Sequence, residues 1–174
     1  MSEDALAYNN LKHWYAIYVN ARHEKKVAAK LIEQGVESYL PIAKKLQQWS
    51  DRKKWIEFPM LSGYVFVNIL LDIEKDTILQ QPSVFGFVKF ESKEAVVNSQ
   101  DIEILKSIEL TGYDITHESE KFNLFDNVII TQGPLKGLKG ILVNVKDEEY
   151  VSIQLDSIQQ NIKVRLPKHI LQHN

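Results

Sequence analysis

Cysteine is absent from the 174 residues, which excludes disulfide scaffolds, thiol nucleophiles and zinc sites built on thiolates. Glycine and proline are scarce, with seven and five residues, so collagen-like and low-complexity classes drop out. Positive charge is not in excess either: 21 basic residues stand against 23 acidic ones, for a formal charge of −2. No global field draws the chain to nucleic acid, and any such contact must come from a local patch. The longest apolar stretches, such as residues 64–71, fall short of the roughly 18–20 residues that cross a bilayer. Met1-Ser2-Glu3-Asp4 is acidic with no apolar run behind it, so a secretory leader is not expected, nor a membrane partner, and the cytoplasm is the expected location.

What is present fits a folded chain. Apolar residues make up 44% and charged residues 25%, near the globular average, and the length suits one ordinary domain or two small ones. Gly133, Gly137 and Gly140 cluster within eight residues, marking a change of architecture. Just before them, residues 112–121 (Gly-Tyr-Asp-Ile-Thr-His-Glu-Ser-Glu-Lys) are polar and lack a period of 2 or 3.6. They read as a linker between a domain over 11–111 and one over 122–174, and as a flexible coil would span about 15–20 Å.

Residues 14–19 are a continuous aromatic and β-branched run, the mark of a buried strand. A helix is expected over 21–34, with Val27, Ala28 and Leu31 on one face and Gly35 as its left-handed stop. Residues 36–42 read as an edge strand because of Pro41. A polar stretch over 44–54 and an apolar run over 55–58 precede the strongest strand, 63–70. A short helix over 74–81 stops at Pro82, another strand covers 85–90, and Ser99 caps a helix reaching Glu109 with Ile102, Leu105 and Ile108 on one face. The order β-α-β-β-β-α-β-α predicts an α+β domain: a split-βαβ, ferredoxin-like antiparallel sheet with helices on one face. Beyond the linker, residues 126–131, 140–146, 150–155 and 162–166 are short strands at regular spacing with Gly, Pro, Asp and Asn between them. They predict a small SH3-like β-barrel.

Catalytic chemistry finds little support. The five histidines, His13, His23, His117, His169 and His173, include no pair with metal-ligand spacing on a predicted helix. His169 and His173 are four apart but follow Pro167 at a terminus expected to fray. No Gly-x-Ser-x-Gly elbow occurs. Gly133-Pro-Leu-Lys-Gly-Leu-Lys-Gly lacks the Gly-Lys-Ser/Thr ending of a phosphate loop and leads into a strand, so no helix dipole faces a phosphate. The same glycines suit a tight connection in a small barrel, where φ > 0 and close backbone approach are needed. No cofactor or metal is expected, and the chain does not read as an enzyme.

With its flanks, Val128-Ile-Ile-Thr-Gln-Gly-Pro-Leu-Lys-Gly-Leu-Lys-Gly-Ile-Leu-Val-Asn-Val resembles a KOW motif. Trp14-Tyr15, the helix after it, Pro41, then Phe58-Pro-Met-Leu-Ser-Gly-Tyr-Val-Phe-Val and Val84-Phe-Gly-Phe-Val resemble the NusG N-terminal domain, in the right order. Together the resemblance to the NusG family covers residues 12–172, with spacing nearer the specialised RfaH and UpxY-type paralogues. The family's frequent Phe-Pro-Gly-Tyr stands here as Leu61-Ser62-Gly63-Tyr64, which removes a proline's constraint on that loop.

The resemblance implies a monomeric transcription elongation and antitermination factor that binds RNA polymerase. An apolar depression at Trp14, Tyr18, Leu61, Tyr64 and Phe66 would receive the clamp helices of the largest subunit, aromatic anchors supplying most of a small interface's energy. Alternation along 63–70 puts Tyr64, Phe66 and Asn68 on one face and Val65, Val67 and Ile69 on the other; the aromatic face is either part of the core or the depression itself. Lys75-Asp76-Thr77, at a helix start, would reach the β gate loop. The face of the first helix that carries Arg22, His23, Lys26 and Lys30 would contact non-template DNA, or is simply its solvated side. Arg52, Lys53 and Lys54, with Trp49 nearby, suit unpaired bases or upstream duplex, or form a solvated hairpin tip. The barrel would recruit Rho or a small-subunit ribosomal protein through Ile158, read as exposed in the loop 156–161. Two other readings remain: an RNA- or ribosome-binding KOW protein, and a nucleotide-binding enzyme using Lys136 and Lys139.

Overall fold

The β-branched and aromatic runs become strands, and the periodic segments between them helices, in the computed structural model, which describes residues 11–49, 51–113, 115–116, 127–145 and 148–174. In chain order the first elements are β1 (His13–Val19), α1 (Glu24–Glu33), β2 (Glu37–Tyr39), β3 (Ile42–Gln48), β4 (Lys53–Pro59), β5 (Tyr64–Ile69) and α2 (Leu71–Leu79). Then follow β6 (Val84–Phe87), β7 (Lys89–Phe90), β8 (Lys93–Glu94), β9 (Val96–Val97), α3 (Ser99–Thr111) and β10 (Ile115–Thr116). The last are β11 (Asn127–Ile130), β12 (Lys139–Val145), β13 (Glu148–Leu155), β14 (Gln160–Val164) and β15 (Leu171–His173). Two units result, Met1–Leu40 with Ser62–Ser99, and Pro41–Leu61 with Gln100–Asn174. No helix among the described residues is long and apolar enough to cross a membrane.

The first unit is built on an antiparallel sheet of order β2–β5–β1–β6, with β9 also pairing with β1. Its helices follow β1 and β5, which is the split-βαβ connection. The β1–β5 register runs from His13↔Ile69 to Tyr18↔Tyr64. Because paired residues share a face, Tyr15, Ile17 and Val19 lie with Val65, Val67 and Ile69 against Val27, Ala28 and Leu31 of α1, with Ile78 and Phe87 in the same core. Helix α1 begins at Glu24 rather than near residue 21, because Arg22 has φ +70 and breaks the helical path. Helix α2 starts three residues earlier than its sequence signal, the Leu70 N–H being taken by Glu74 Oε2 at 2.7 Å. The strand expected over 85–90 is split into β6 and β7, the latter forming a two-pair hairpin with β8.

In the second unit the described part of the polar stretch 44–54, which leaves out residue 50, belongs to a long hairpin: β3 and β4 pair from Ile42↔Pro59 to Gln48↔Lys53. Helix α3 buries Ile102, Leu105 and Ile108, as their spacing predicts. The C-terminal segment is an antiparallel sheet of order β10–β14–β13–β12–β11–β15. Among the described residues this order is open, and no pairing closes β10 onto β15 into the predicted barrel. Two features differ from expectation. Ile115–Thr116, inside the stretch read as a linker, pairs with β14; residues 117–121 lie outside the described residues. The terminus expected to fray instead forms β15, with Val128↔His173 and Ile130↔Leu171 in register.

Gly140 shows why the glycine cluster is needed. A Cβ there would stand 2.4 Å from a Val151 methyl and 2.8 Å from the Ser152 carbonyl oxygen, so β12 and β13 can approach only with hydrogen in that place. Gly140→Ala is expected to cost about 1–3 kcal/mol by overpacking, read as a lowered denaturation midpoint with an unchanged slope.

Candidate functional site

The face of the first sheet opposite the aliphatic core is aromatic. Trp14 and Tyr39 meet edge to face with ring centroids 6.4 Å apart, and Tyr39 leans on Phe66 at 6.3 Å. Tyr18 and Tyr64, paired across β1 and β5, have centroids 5.1 Å apart. Burial, and then the hydrogen bond to Tyr18, hold the Tyr64 hydroxyl well above the ordinary tyrosine value, so Tyr64 is neutral at physiological pH. Exposure divides the sequence-predicted residues: Tyr18 is 41% exposed while Phe66 and Leu61 are buried at 0% and 4%. Trp14 and Tyr64 are half-buried. Tyr39, within the stretch expected as an edge strand, also joins this face, a placement the sequence did not single out because so short a strand shows no alternation.

The loop before Tyr64 is fixed by Glu24. Gly63 takes φ +80, its N–H donates to Glu24 Oε1 at 2.8 Å, and its carbonyl accepts the Val19 N–H at 2.8 Å. Glu24 is only 2% exposed. Its charge does not dilute the basic face of α1, because the carboxylate turns inward to hold the Leu61-Ser62-Gly63-Tyr64 turn that no proline constrains.

Lys75, Asp76 and Thr77 lie within α2, not at its start. Lys75 Nζ bonds Glu94 Oε1 of β8 at 2.7 Å, while Asp76 and Thr77 are exposed. That bond to Lys75 is the main reason the Glu94 carboxyl sits below its ordinary value, and the same bond raises Lys75.

Lys26 and Lys30 are exposed along α1, whereas Arg22 and His23, expected on the same helix face, stand exposed just before its start because Arg22 is left-handed. His23 Nδ1 meets Ser83 Oγ at 2.7 Å. Arg22 and Ser83 both occupy the left-handed region, at φ +70 and +73, and the Ser83 carbonyl accepts the Asn20 N–H at 2.9 Å. Two strained non-glycine residues thus flank the basic end of α1, where strain commonly marks function. In the second unit Arg52, Lys53 and Lys54 are exposed at the β3–β4 turn and along β4. Lys136 and Lys139 sit on a surface loop and strand, also exposed.

Ile158 is not the exposed residue its loop position suggested; it is 5% exposed. It ends a short 3-10 turn, Asp156–Ile158. Its neighbour Ser157 donates from both its N–H, at 3.0 Å, and its hydroxyl to Asp101 Oδ2 in the first turn of α3. Asp101 is buried at 6%. The sequence hides this contact because nothing local distinguishes Asp101 from an ordinary acid at a helix start.

Comparison with known proteins places these features. A family model described as "Transcription termination factor nusG" matches residues 12–106, from β1 through most of α3. A solved structure concerning domain interaction in Thermotoga maritima NusG matches with a TM-score of 0.60 at 20% identity, covering 95% of this chain and 98% of that one. Two conformations of the MjSpt4:Spt5 complex match less well. Conformation B has a TM-score of 0.34 at 24% identity, over 92% and 95% of the two chains. Conformation A has a TM-score of 0.32 at 19% identity, over 92% and 97%.

Two outcomes are expected. A lowered Glu94 pKa contributes stability above its unfolded value near 4.5, lost as pH falls through the lower folded value. The wild-type stability advantage over Glu94→Gln should therefore fade below that pH. Asp101→Ala removes the side-chain acceptor from Ser157, and exchange of the Ser157 amide proton should accelerate about tenfold or more.

Proposed function

The chain belongs to the NusG family, and from that premise we propose that it is a transcription elongation and antitermination factor that binds RNA polymerase and reduces pausing or termination. The observation that carries this reading is the Tyr18–Tyr64 pair, packed at 5.1 Å with Tyr18 open to solvent. Such a pair offers the clamp helices of the largest polymerase subunit a preformed aromatic anchor. Trp14 extends that surface. Phe66, on the same face and packed against Tyr39, is buried and serves as a support in place of direct contact, and the buried Leu61 is likewise no direct contact.

The remaining parts take their places around this anchor. Residues 11–111 form the polymerase-binding domain, with Lys75, Asp76 and Thr77 directed to the β gate loop; contact there competes with the Lys75–Glu94 bond. Lys26 and Lys30 on α1, with Arg22 and His23 just before it, follow non-template DNA, and Arg52, Lys53 and Lys54 follow nucleic acid near the hairpin. Residues 112–121 connect to a KOW domain over 122–174, which recruits Rho or a small-subunit ribosomal protein. Because Ile158 is buried beside the Ser157–Asp101 bonds, its contact with such a partner requires those bonds to open first.

Purified polymerase, with and without the protein, on a template carrying one pause and one terminator tests the reading. Read-through should rise with the wild type. Tyr64→Ala should weaken polymerase binding by about 10- to 100-fold and abolish the gain in read-through, with circular dichroism verifying that the variant is folded. Wild-type binding with no effect on either event would remove antitermination from the function; undiminished binding by Tyr64→Ala would remove the aromatic anchor.

A further inference from the structure

Strand β6 ends the order of the first sheet, beyond β1, and carries an irregularity beside Tyr18. Alternation along it sends Phe87 into the core and Gly86 to the outer face, opposite Tyr18. The same alternation would send Phe85 inward again. It does not, because the register shifts here: Val19 stands opposite Val84, and Phe85 is left over as a β-bulge. Val84 takes the inward place and packs on the core, while Phe85 is 72% exposed. An extra residue of this kind re-aims a side chain at a sheet edge. Here it places in solvent a ring whose burial would have stabilised the fold.

The backbone on both sides of the bulge is fixed. Before it, left-handed Ser83 accepts the Asn20 N–H on its carbonyl at 2.9 Å, and its Oγ meets His23 Nδ1 at 2.7 Å. After it, the Val88 N–H donates to the Ala16 carbonyl at 2.8 Å. Little backbone ordering therefore remains to be done when Phe85 meets a partner. Across the strands, the row beside it reads Gly86, Tyr18, Tyr64. A Cβ on Gly86 would meet no atom within 4 Å apart from the glycine's own chain neighbours, and the Tyr18 ring packs with Tyr64 on its other side. Open ground thus lies next to Tyr18 at the bulge, and the row that borders it holds no carboxylate and no basic side chain.

We propose that Phe85 is a further polymerase contact: one apolar side chain from the clamp helices seats over Gly86, with Tyr18 on one flank and Phe85 on the other. The inference rests on the polymerase reading above and adds the residue that closes the anchor on the β6 side. The occupant is the clamp because this ground is continuous with the Tyr18–Tyr64 pair. Its inserted group is apolar because the row offers aromatic faces and no ionic partner.

The test is photo-crosslinking and binding of the full-length protein to purified polymerase. Phe85→benzoylphenylalanine should crosslink to the clamp helices of the largest subunit, as should Tyr18→benzoylphenylalanine. Phe85→Ser should weaken binding by about 5- to 30-fold, by the same factor at low and high salt, since an apolar contact is not screened. Phe85→Leu should stay within a few-fold of wild type. In a Tyr18→Ala background the loss on Phe85→Ser should shrink, because both rings flank one guest. Circular dichroism of each variant verifies the fold. The Phe85 contact alone is overturned if the Tyr18 probe reaches the clamp helices and Tyr64→Ala loses binding while folded Phe85→Ser binds like wild type. It is overturned equally if the Phe85 probe crosslinks only to another subunit or to a second copy of this chain. No clamp-helix crosslink from either probe, with undiminished binding by Tyr64→Ala, removes the polymerase anchor itself and the Phe85 contact with it.

Discussion

The register of β1 against β5 is the constraint on which the first unit depends. Six consecutive pairs, from His13↔Ile69 to Tyr18↔Tyr64, bring two strands with opposite faces of different character into one layer. On one side Ile17, Val19, Val65, Val67 and Ile69 close over α1; on the other Trp14, Tyr18, Tyr64 and Phe66 gather with Tyr39. A slip of one residue would exchange the faces, placing aliphatic side chains outside and tyrosines against the helix. The same pairing that builds the core therefore assembles the surface proposed to bind polymerase.

Two acidic residues serve geometry where the sequence suggests charge. Glu24 lies beside the basic residues of α1, and Asp101 sits where acids commonly favour a helix N-terminus. Each is buried, at 2% and 6% exposure, and each spends its carboxylate on a distant backbone N–H: Glu24 on Gly63 and Asp101 on Ser157. A buried carboxylate without such donors would be costly, and removal of either acid would leave an amide unpaired in its place. Counting charges along α1 overstates its acidity for this reason, and the outer face is more basic than its composition.

How much the sequence revealed follows from where each signal resides. Alternation along β5 and the 3.6-residue period of α1 and α3 are local and were sufficient to place those elements and their buried faces. The β3–β4 hairpin offers no such period, because most of its residues are exposed and its order comes from cross-strand hydrogen bonds. Strand β15 exists only because β11 has a free edge for Leu171–His173. Residue types identified Tyr18 and Tyr64 as surface candidates and left Phe66 open between core and depression, but they misplaced Ile158, whose burial depends on residues distant in sequence. Conformation at Arg22 and Ser83 is invisible for the same reason: positive φ at these two positions is imposed by the β1–α1 and α2–β6 connections.

The division between exposed and buried residues on the aromatic face has an energetic consequence. An anchor binds tightly when little ordering remains to be done on association. Tyr18 and Tyr64 are held by their mutual contact, and Tyr64 is further fixed by the turn in which Gly63 donates to Glu24. Phe66, two residues along the same face, is fully buried against Tyr39, which limits relaxation of the sheet there. Glu24 thereby becomes a determinant of the surface without touching any ligand. Its carboxylate sets the path of residues 61–64, that path sets the direction of Tyr64, and the direction of Tyr64 decides whether the pair presents one continuous face or two separate rings.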